Sequence, residues 1–338
     1  MAGNDCAANH SATPRRGATT TQATPFSPPS GPPQRLFHEP PAESKFLATY
    51  KKGLSGADIS HFINECFGEK ASPSKISQLA KIFHQFRTAW QNAPLETHYK
   101  AVFGDVIFIT VRRADSYSKE GVYVLYGVRQ DNKRELLALE TNPTEGAVFW
   151  GEILQTLKKR NVQKIDLFIA DGIAGLEDQI MKHYPQAEFQ KCVIHKMRNI
   201  LNQIRPKDKD ELAEDLKEVF NNFDQNSSLA KAKEKVAKFI EKWRIKYPAI
   251  KRYFDENTID YYFTYINYDP RVRRMIYTSN SVENINRAIR KATKNKLSFE
   301  SSDRLLDYTF MVIKEFEEKN LMKYPVTNYK YFTKLATT

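Results

Sequence analysis

Cysteine is scarce in this chain, with three residues, Cys6, Cys66 and Cys192, among 338. Three thiols so widely spaced cannot build a disulfide framework, which points to a reducing compartment. Long apolar runs are also missing, since none approaches the roughly 20 residues that a membrane-spanning helix requires. No charged-then-apolar leader marks the chain for secretion, and no internal repeat recurs along it. These absences exclude the disulfide-stapled, membrane-spanning and solenoid classes. The expectation is a soluble, intracellular protein with no membrane contact.

What the chain has in excess is positive charge. It carries 52 Lys and Arg against 40 Asp and Glu, a formal net charge of +12. An excess of that size implies a polyanionic partner, most simply nucleic acid. Hydrophobic content of 41% and charged content of 27% are ordinary for a globular protein. The length suggests more than one domain with a sizeable core.

Residues 1–44 are rich in Pro, Ser, Thr, Gly and Ala and poor in large apolar side chains. Such a segment cannot bury enough surface to offset its ordering entropy and is expected to be disordered. From 45 to 98 the pattern turns helical. Ser55 and Asp58 form a capping-box pattern ahead of Ile59, Phe62 and Ile63. After Gly68, Ser72 and Pro73 open a second helix with Ile76, Leu79, Ile82 and Phe83 on its apolar side. Two short helices around a glycine-containing turn fit a helix-turn-helix. Its outward residues, among them Lys75, Gln78 and Lys81, suit base edges and phosphates. An ordinary helical hairpin is the alternative.

Strand patterns follow in Val102–Val111, Gly121–Val128 and Lys133–Thr141, joined closely enough for an antiparallel meander. A helix from about Glu145 to Lys159 then leads into a strand at Lys164 by a right-handed crossover. The order predicts an α/β fold with a mixed, RNase H-like sheet, its first part spanning 99–205. Residues 206–269 are charged, helical and strand-poor, and read as an all-α insertion. The second part of the core is expected over 270–320, followed by a carboxyl-terminal tail over 321–338.

Three carboxylates stand out. Asp105 interrupts an apolar strand, where an unpaired charge costs several kcal/mol. Asp171 ends the apolar run Ile165–Ala170, at the strand edge where α/β proteins collect their ligands. Simple capping of the following helix is its alternative reading. If these strands are neighbours the two carboxylates converge, and like charges that close need a cation. Magnesium or manganese, with their preference for oxygen ligands, would serve. Glu283 is the best third ligand, in a helix opened by the capping residues Tyr277–Asn280. It heads a stripe with Arg287, Arg290 and Lys294 that suits a phosphate backbone. An exposed Glu283–Arg287 pair is the bland reading. Cys192 and His195 make a Cys-x-x-His pair with no second pair to complete a zinc site. Packing and helix capping, or a contact to phosphate or to a metal-bound water, remain open for them.

Several segments together resemble the mutator-type transposases of bacterial insertion sequences. They are YKKGLSGADI and SPSKIS, AVFGDVIFITVR, EGAVFWGEIL, ADGIAGLEDQI, CVIH followed by KMRN, and RRMIYTSNSVENINRAIRK, in that order between about Ala48 and Phe316. The resemblance implies a DDE enzyme with an RNase H-like core and with Asp105, Asp171 and Glu283 as its catalytic, metal-binding triad. It also implies a helical insertion between the second and third members, and two Mg2+ or Mn2+ ions. Cys192 and His195 match the family's Cys-x-x-His signature, and Asn280, Asn286 and Arg287 match positions flanking its glutamate. The implied partners are double-stranded DNA, as terminal inverted repeats and target, and a second copy of the chain, in the bacterial cytoplasm at the nucleoid. Arg198, Arg271, Arg273, Arg274, Arg287, Arg290 and Lys294 are the expected phosphate contacts around the triad. Two other functions fit less of this pattern: a non-catalytic DNA-binding relative, and a nuclease that cuts without joining. Three features depart from the family. Gly104 stands where a bulky apolar residue usually precedes the aspartate, Thr258 stands where a tryptophan is expected, and the Pro/Ser/Thr tail replaces the family's usual amino-terminal region.

Overall fold

In the computed structural model, residues 73–112, 116–294, 298–317 and 325–335 are described. The amino-terminal tail and the first helix of the expected helix-turn-helix lie outside the described residues. So do the side chains of Lys75, Gln78 and Asn280.

The second helix of that expected pair begins where proline chemistry places it, as α1 (Pro73–Asn92). Its later turns dock on the body of the protein. Phe83 and Arg87 are buried there. The Arg87 guanidinium donates to the carboxylate of Asp307 at 2.7 Å and to that of Asp303 at 2.8 Å. Both partners of the Arg87–Asp307 pair are buried, so each charge depends on the other for its solvation.

The sheet follows. Strands β1 (His98–Arg112), β2 (Tyr117–Arg129) and β3 (Arg134–Asn142) form the antiparallel meander, turning between β2 and β3 at Asn132 with φ of 67°. Helix α2 (Ala147–Lys159) crosses to β4 (Lys164–Ala170), which pairs in parallel with β1, and after α3 (Leu176–His183) the short β5 (Glu188–Lys191) adds in parallel to β4. The strand order is β3-β2-β1-β4-β5. This mixed five-stranded α/β sheet is compatible with an RNase H-like core, and it places β1 at its centre.

Successive side chains of a strand point to opposite faces, and β1 shows what covers each face. On the face of Gly104 lies Trp150 of α2, edge-on to Tyr123 and Phe168 within a core that also includes Val102, Leu125 and Leu137. A Cβ on Gly104 would stand 2.8 Å from the Trp150 ring, so the missing bulk at this position is filled by the tryptophan. On the face of Asp105 lies α8 (Asn280–Thr293), described below.

Between β5 and α8 come α4 (Val193–Leu201), α5 (Lys209–Phe220), α6 (Leu229–Trp243) and α7 (Pro270–Ile276), with short 3-10 turns at Pro248–Tyr253, Ile259–Tyr262 and Thr264–Asn267. Leu212, Leu216, Phe220, Val236, Phe239 and Trp243 bury the facing stripes of α5 and α6. Thr258 opens the second 3-10 turn. Helix α9 (Ser302–Phe316) closes the sheet and meets α1. The segment expected as a tail is folded over 325–335. Its 3-10 turn Thr327–Tyr331 buries Tyr329, Tyr268 bridges Lys334, and Tyr329 and Phe332 supply the apolar surface that docks the segment. Among the described residues no helix is long and apolar enough to cross a membrane.

The tight seat of Trp150 makes a prediction. Gly104→Leu, which restores the bulk common at this position, should destabilise the chain by about 1–3 kcal/mol through overpacking. The urea-unfolding midpoint measures this, and an unchanged midpoint would show that the tryptophan can move aside freely.

Candidate active site

The parallel register sets the distance problem. Phe103 of β1 lies opposite Ile169 of β4, with one constant offset along the whole pairing. Asp105 stands two residues past Phe103, and Asp171 two past Ile169 and just beyond the end of β4, so the paired strands bring the acids close enough for the charge of Asp171 to act on Asp105. Asp105 is only 8% exposed. Its Oδ2 accepts from the Asn286 side-chain amide at 2.6 Å, and its Oδ1 from the Val106 backbone at 3.0 Å. Burial pushes its carboxyl above the usual carboxylate range, as does the charge of Asp171, while His195 and the two hydrogen bonds work against the rise.

Asp171 is not the cap of the next helix. Its Oδ1 accepts from the Gly172 amide at 2.7 Å, and α3 begins later, behind Gly175. The carboxylate is left partly exposed, with His195 Nδ1 3.8 Å from Oδ2. A Cβ on Gly172 would come 2.8 Å from the hydroxyl of Tyr262, so the insertion lays a tyrosine directly on this loop. No local sequence signal marks Tyr262, since only the fold brings residues 172 and 262 together.

Glu283 occupies the first turn of α8, one helical turn before Asn286, and residues so spaced share a helix face. Val282, Ile285 and Ile289 form an adjoining buried stripe, and Asn286 is buried with them. Asn286 therefore ties the helix of the third carboxylate to the first. The Glu283 carboxylate is ion-paired with Arg198 of α4. Arg198, expected as a phosphate contact, instead neutralises the candidate third ligand. As the side chains stand, no three acidic, His or Cys groups among the described residues are disposed to hold a metal ion.

Cys192 joins the three supporting elements. Its amide donates to Ala170, the residue before Asp171, at 2.7 Å, and the next amide, of Val193, donates to Tyr277 ahead of α8. Its sulfur accepts from the Ser279 amide at 3.4 Å and hydroxyl at 3.2 Å. Ser279 stands at the N-cap position of α8, but its hydroxyl goes to the thiol and caps nothing. Burial alone would raise the Cys192 thiol. His195 and Ser279 nevertheless hold it below its ordinary value. The same contact with Cys192 lifts His195 to about 9 against the opposing effect of burial, helped by the charges of Asp105 and Asp171. At neutral pH His195 is thus an imidazolium, 3.8 Å from the Asp171 carboxylate and felt by Asp105.

Two further groups escape sequence reasoning. Lys196, one residue after His195, lies over the rings of Tyr262, Tyr253 and Phe254, and burial with the neighbouring Lys191 lowers it to about 8. Glu145, just ahead of α2, has its carboxyl pushed up by burial and by the charges of Asp171 and Asp105.

The expected phosphate contacts divide. Lys81, Arg274, Arg287, Arg290 and Lys294 are exposed. Arg271 is exposed but holds Asp269 through two donors and stacks 3.6 Å over the Tyr331 ring. Arg273 is a correction: it is fully buried, and donates to the backbone carbonyls of Tyr268, Asn222 and Asp224. Those carbonyls lie in irregular segments, where an arginine fork satisfies acceptors that no strand or helix serves.

Known proteins resemble this chain over most of its length. Residues 33–322 match the family described as Transposase, Mutator family. The chain is similar to the transposase for insertion sequence element IS1201 of Lactobacillus helveticus, 28% identical over 81% of this chain and 72% of that protein. It is also similar to the transposase for insertion sequence element ISRM3 of Rhizobium meliloti (strain 1021), 30% identical over 85% of this chain and 70% of that protein. A third relative, the transposase for IS905 of Lactococcus lactis subsp. lactis (strain IL1403), is 27% identical over 82% and 69% of the two chains.

The coupling of His195 to Cys192 can be measured. A histidine raised in the folded state stabilises the fold fully below its unfolded value of about 6.5. That contribution is lost as pH climbs through about 9. NMR titration of His195 should give a midpoint near 9, falling back toward the ordinary histidine range in Cys192→Ala. A midpoint indifferent to Cys192 would remove the thiol as the main cause.

Proposed function

The chain belongs to the Mutator family of transposases, and from that premise we propose that it nicks DNA at the ends of an insertion sequence and joins the freed 3′-hydroxyl to a second strand. Asp105, Asp171 and Glu283 are the proposed catalytic residues. The observation that carries the reading is the closeness of Asp105 and Asp171 at the ends of the paired strands β1 and β4, with Asn286 tying in the helix of Glu283. A carboxylate pushed up by burial, and further by a neighbouring carboxylate, is the environment that a divalent cation relieves. The donors are all oxygen, which fits Mg2+ or Mn2+. When bound, such ions supply a water or 3′-hydroxyl of lowered pKa and stabilise the leaving oxygen of an in-line displacement at phosphorus.

The remaining work belongs to the chain itself. Asp105 and Asp171 are held on the rigid sheet. Glu283 reaches them only by leaving Arg198, and the freed guanidinium is then available to a DNA phosphate, where its planar fork binds well. His195 and Cys192 act as positioning residues that fix the ends of β4, α4 and α8. Arg287, Arg290 and Lys294 line the exposed side of α8 as phosphate contacts. We take the working form to be a homodimer or larger, since two element ends are joined in one event, acting on double-stranded DNA in the bacterial cytoplasm. The Glu283–Arg198 pair also suits a second reading, a relative that binds DNA and no longer cuts it.

One assay separates these. Asp105→Asn, Asp171→Asn and Glu283→Gln should each abolish Mg2+- or Mn2+-dependent nicking and joining while DNA affinity is kept. Wild-type binding without nicking would favour the DNA-binding relative, and nicked product without joined product a plain nuclease. In gel-shift titrations over a salt series, Arg287→Ala and Arg290→Ala should each flatten the log–log slope by about 1. An unaltered slope would take α8 off the DNA.

A further inference from the structure

Lys196 sits where the insertion meets the Asp171 loop. It follows His195 on α4, and the Nδ1 of that histidine stands 3.8 Å from the Asp171 carboxylate. The Lys196 ammonium lies over the Tyr262 ring, 4.7 Å from its centroid, with the rings of Tyr253 and Phe254 each at 5.8 Å. Tyr262 in turn lays its hydroxyl on Gly172, the residue after Asp171, 2.8 Å from where a Cβ would stand. Two separate contacts, one through His195 and one through Tyr262, thus bring the ammonium beside the loop of the second aspartate.

Its surroundings leave that charge uncompensated. Aromatic faces attract a cation but offer no strong acceptor, and an ammonium has three donors to place. Among the described residues no hydrogen bond or ion pair engages Lys196. Lys191 makes the contrast, since it lies over the Tyr261 ring and also reaches the Glu177 carboxylate at 3.3 Å. Fastening the insertion to α4 needs only an apolar side chain among these rings, such as Met, with no charge to desolvate. Burial and the neighbouring Lys191 instead hold the ammonium down to about 8, the cost of a cation without an anion. Lys196 is only half-buried, so an anion can reach it from outside.

We propose that Lys196 binds a phosphate of the DNA strand that lies over Asp171, its ammonium held ready by the rings of Tyr262, Tyr253 and Phe254. This rests on the DNA-cutting reading above and adds a substrate contact away from the basic stripe of α8. The insertion then has a part in holding substrate, because its rings aim a cation borne by α4.

The probe is a fluorescent duplex carrying the terminal inverted repeat of the element that encodes the chain, titrated with the full chain without added metal. Over a salt series, Lys196→Met should flatten the log–log slope by about 1, and Lys196→Gln should do the same. Lys196→Arg should keep the wild-type slope, and thermal unfolding of each variant reports folding. Lys133→Met, which removes an exposed lysine between β2 and β3, should match wild type. Replacing single phosphates by uncharged methylphosphonates then locates the contact. One such change, at or next to the nicked bond, should weaken wild-type binding severalfold and leave Lys196→Met unaffected. A wild-type slope in Lys196→Met and Lys196→Gln, or a methylphosphonate penalty that persists in them, would overturn the contact and leave the transposase reading standing. An equal loss in Lys133→Met would also overturn it, by reducing the effect to net charge. A wild-type chain that neither binds nor nicks the duplex would overturn both.

Discussion

The pairing of β1 with β4 is the constraint on which the rest depends. Parallel strands in one register bring two acids close together at the edge of a low-dielectric sheet, where their repulsion is poorly screened. Everything nearby is arranged to offset it. Asn286 donates to Asp105, the Gly172 amide donates to Asp171, and His195 carries a positive charge between them. Asp105 still sits above the usual carboxylate range, first through burial and further through the charge of Asp171.

The opposing forces are held by a few connections of high sequence separation. Cys192 links the end of β4, the start of α4 and the start of α8, so one residue, through its amide and its thiol, ties three functional elements together. The buried Arg87–Asp307 pair joins α1 to α9 and so attaches the helix expected to read DNA to the body that carries the acids. The insertion is fastened through Tyr262 on Gly172 and Lys196 among aromatic rings, which couples its position to the Asp171 loop. Movement of any of these partners would be felt at the carboxylates.

Much of this was legible beforehand, and the reasons are particular. The strands showed because their apolar runs were bounded by turn residues such as Asp131 and Asn132. The α8 stripe of Glu283, Arg287, Arg290 and Lys294 showed because helical period is local. Gly104 was noticed as a departure, yet its reason, the ring of Trp150, lay some 46 positions along the chain. Arg273 looked like its neighbours Arg271 and Arg274, because a buried arginine and an exposed one are spelled alike. Ser279 was read as a cap because its position was right, while a thiol far away in sequence took its hydroxyl.

The sequence by itself determined the order of elements, the basic character, and the identity of three acids with the motifs around them, since each depends on residues close together or on totals. Only the tertiary structure decided which groups face those acids: Asn286 at Asp105, Arg198 at Glu283 and His195 at Asp171. Electrostatic energy depends on distance in space and on burial, and neither is a function of separation along the chain.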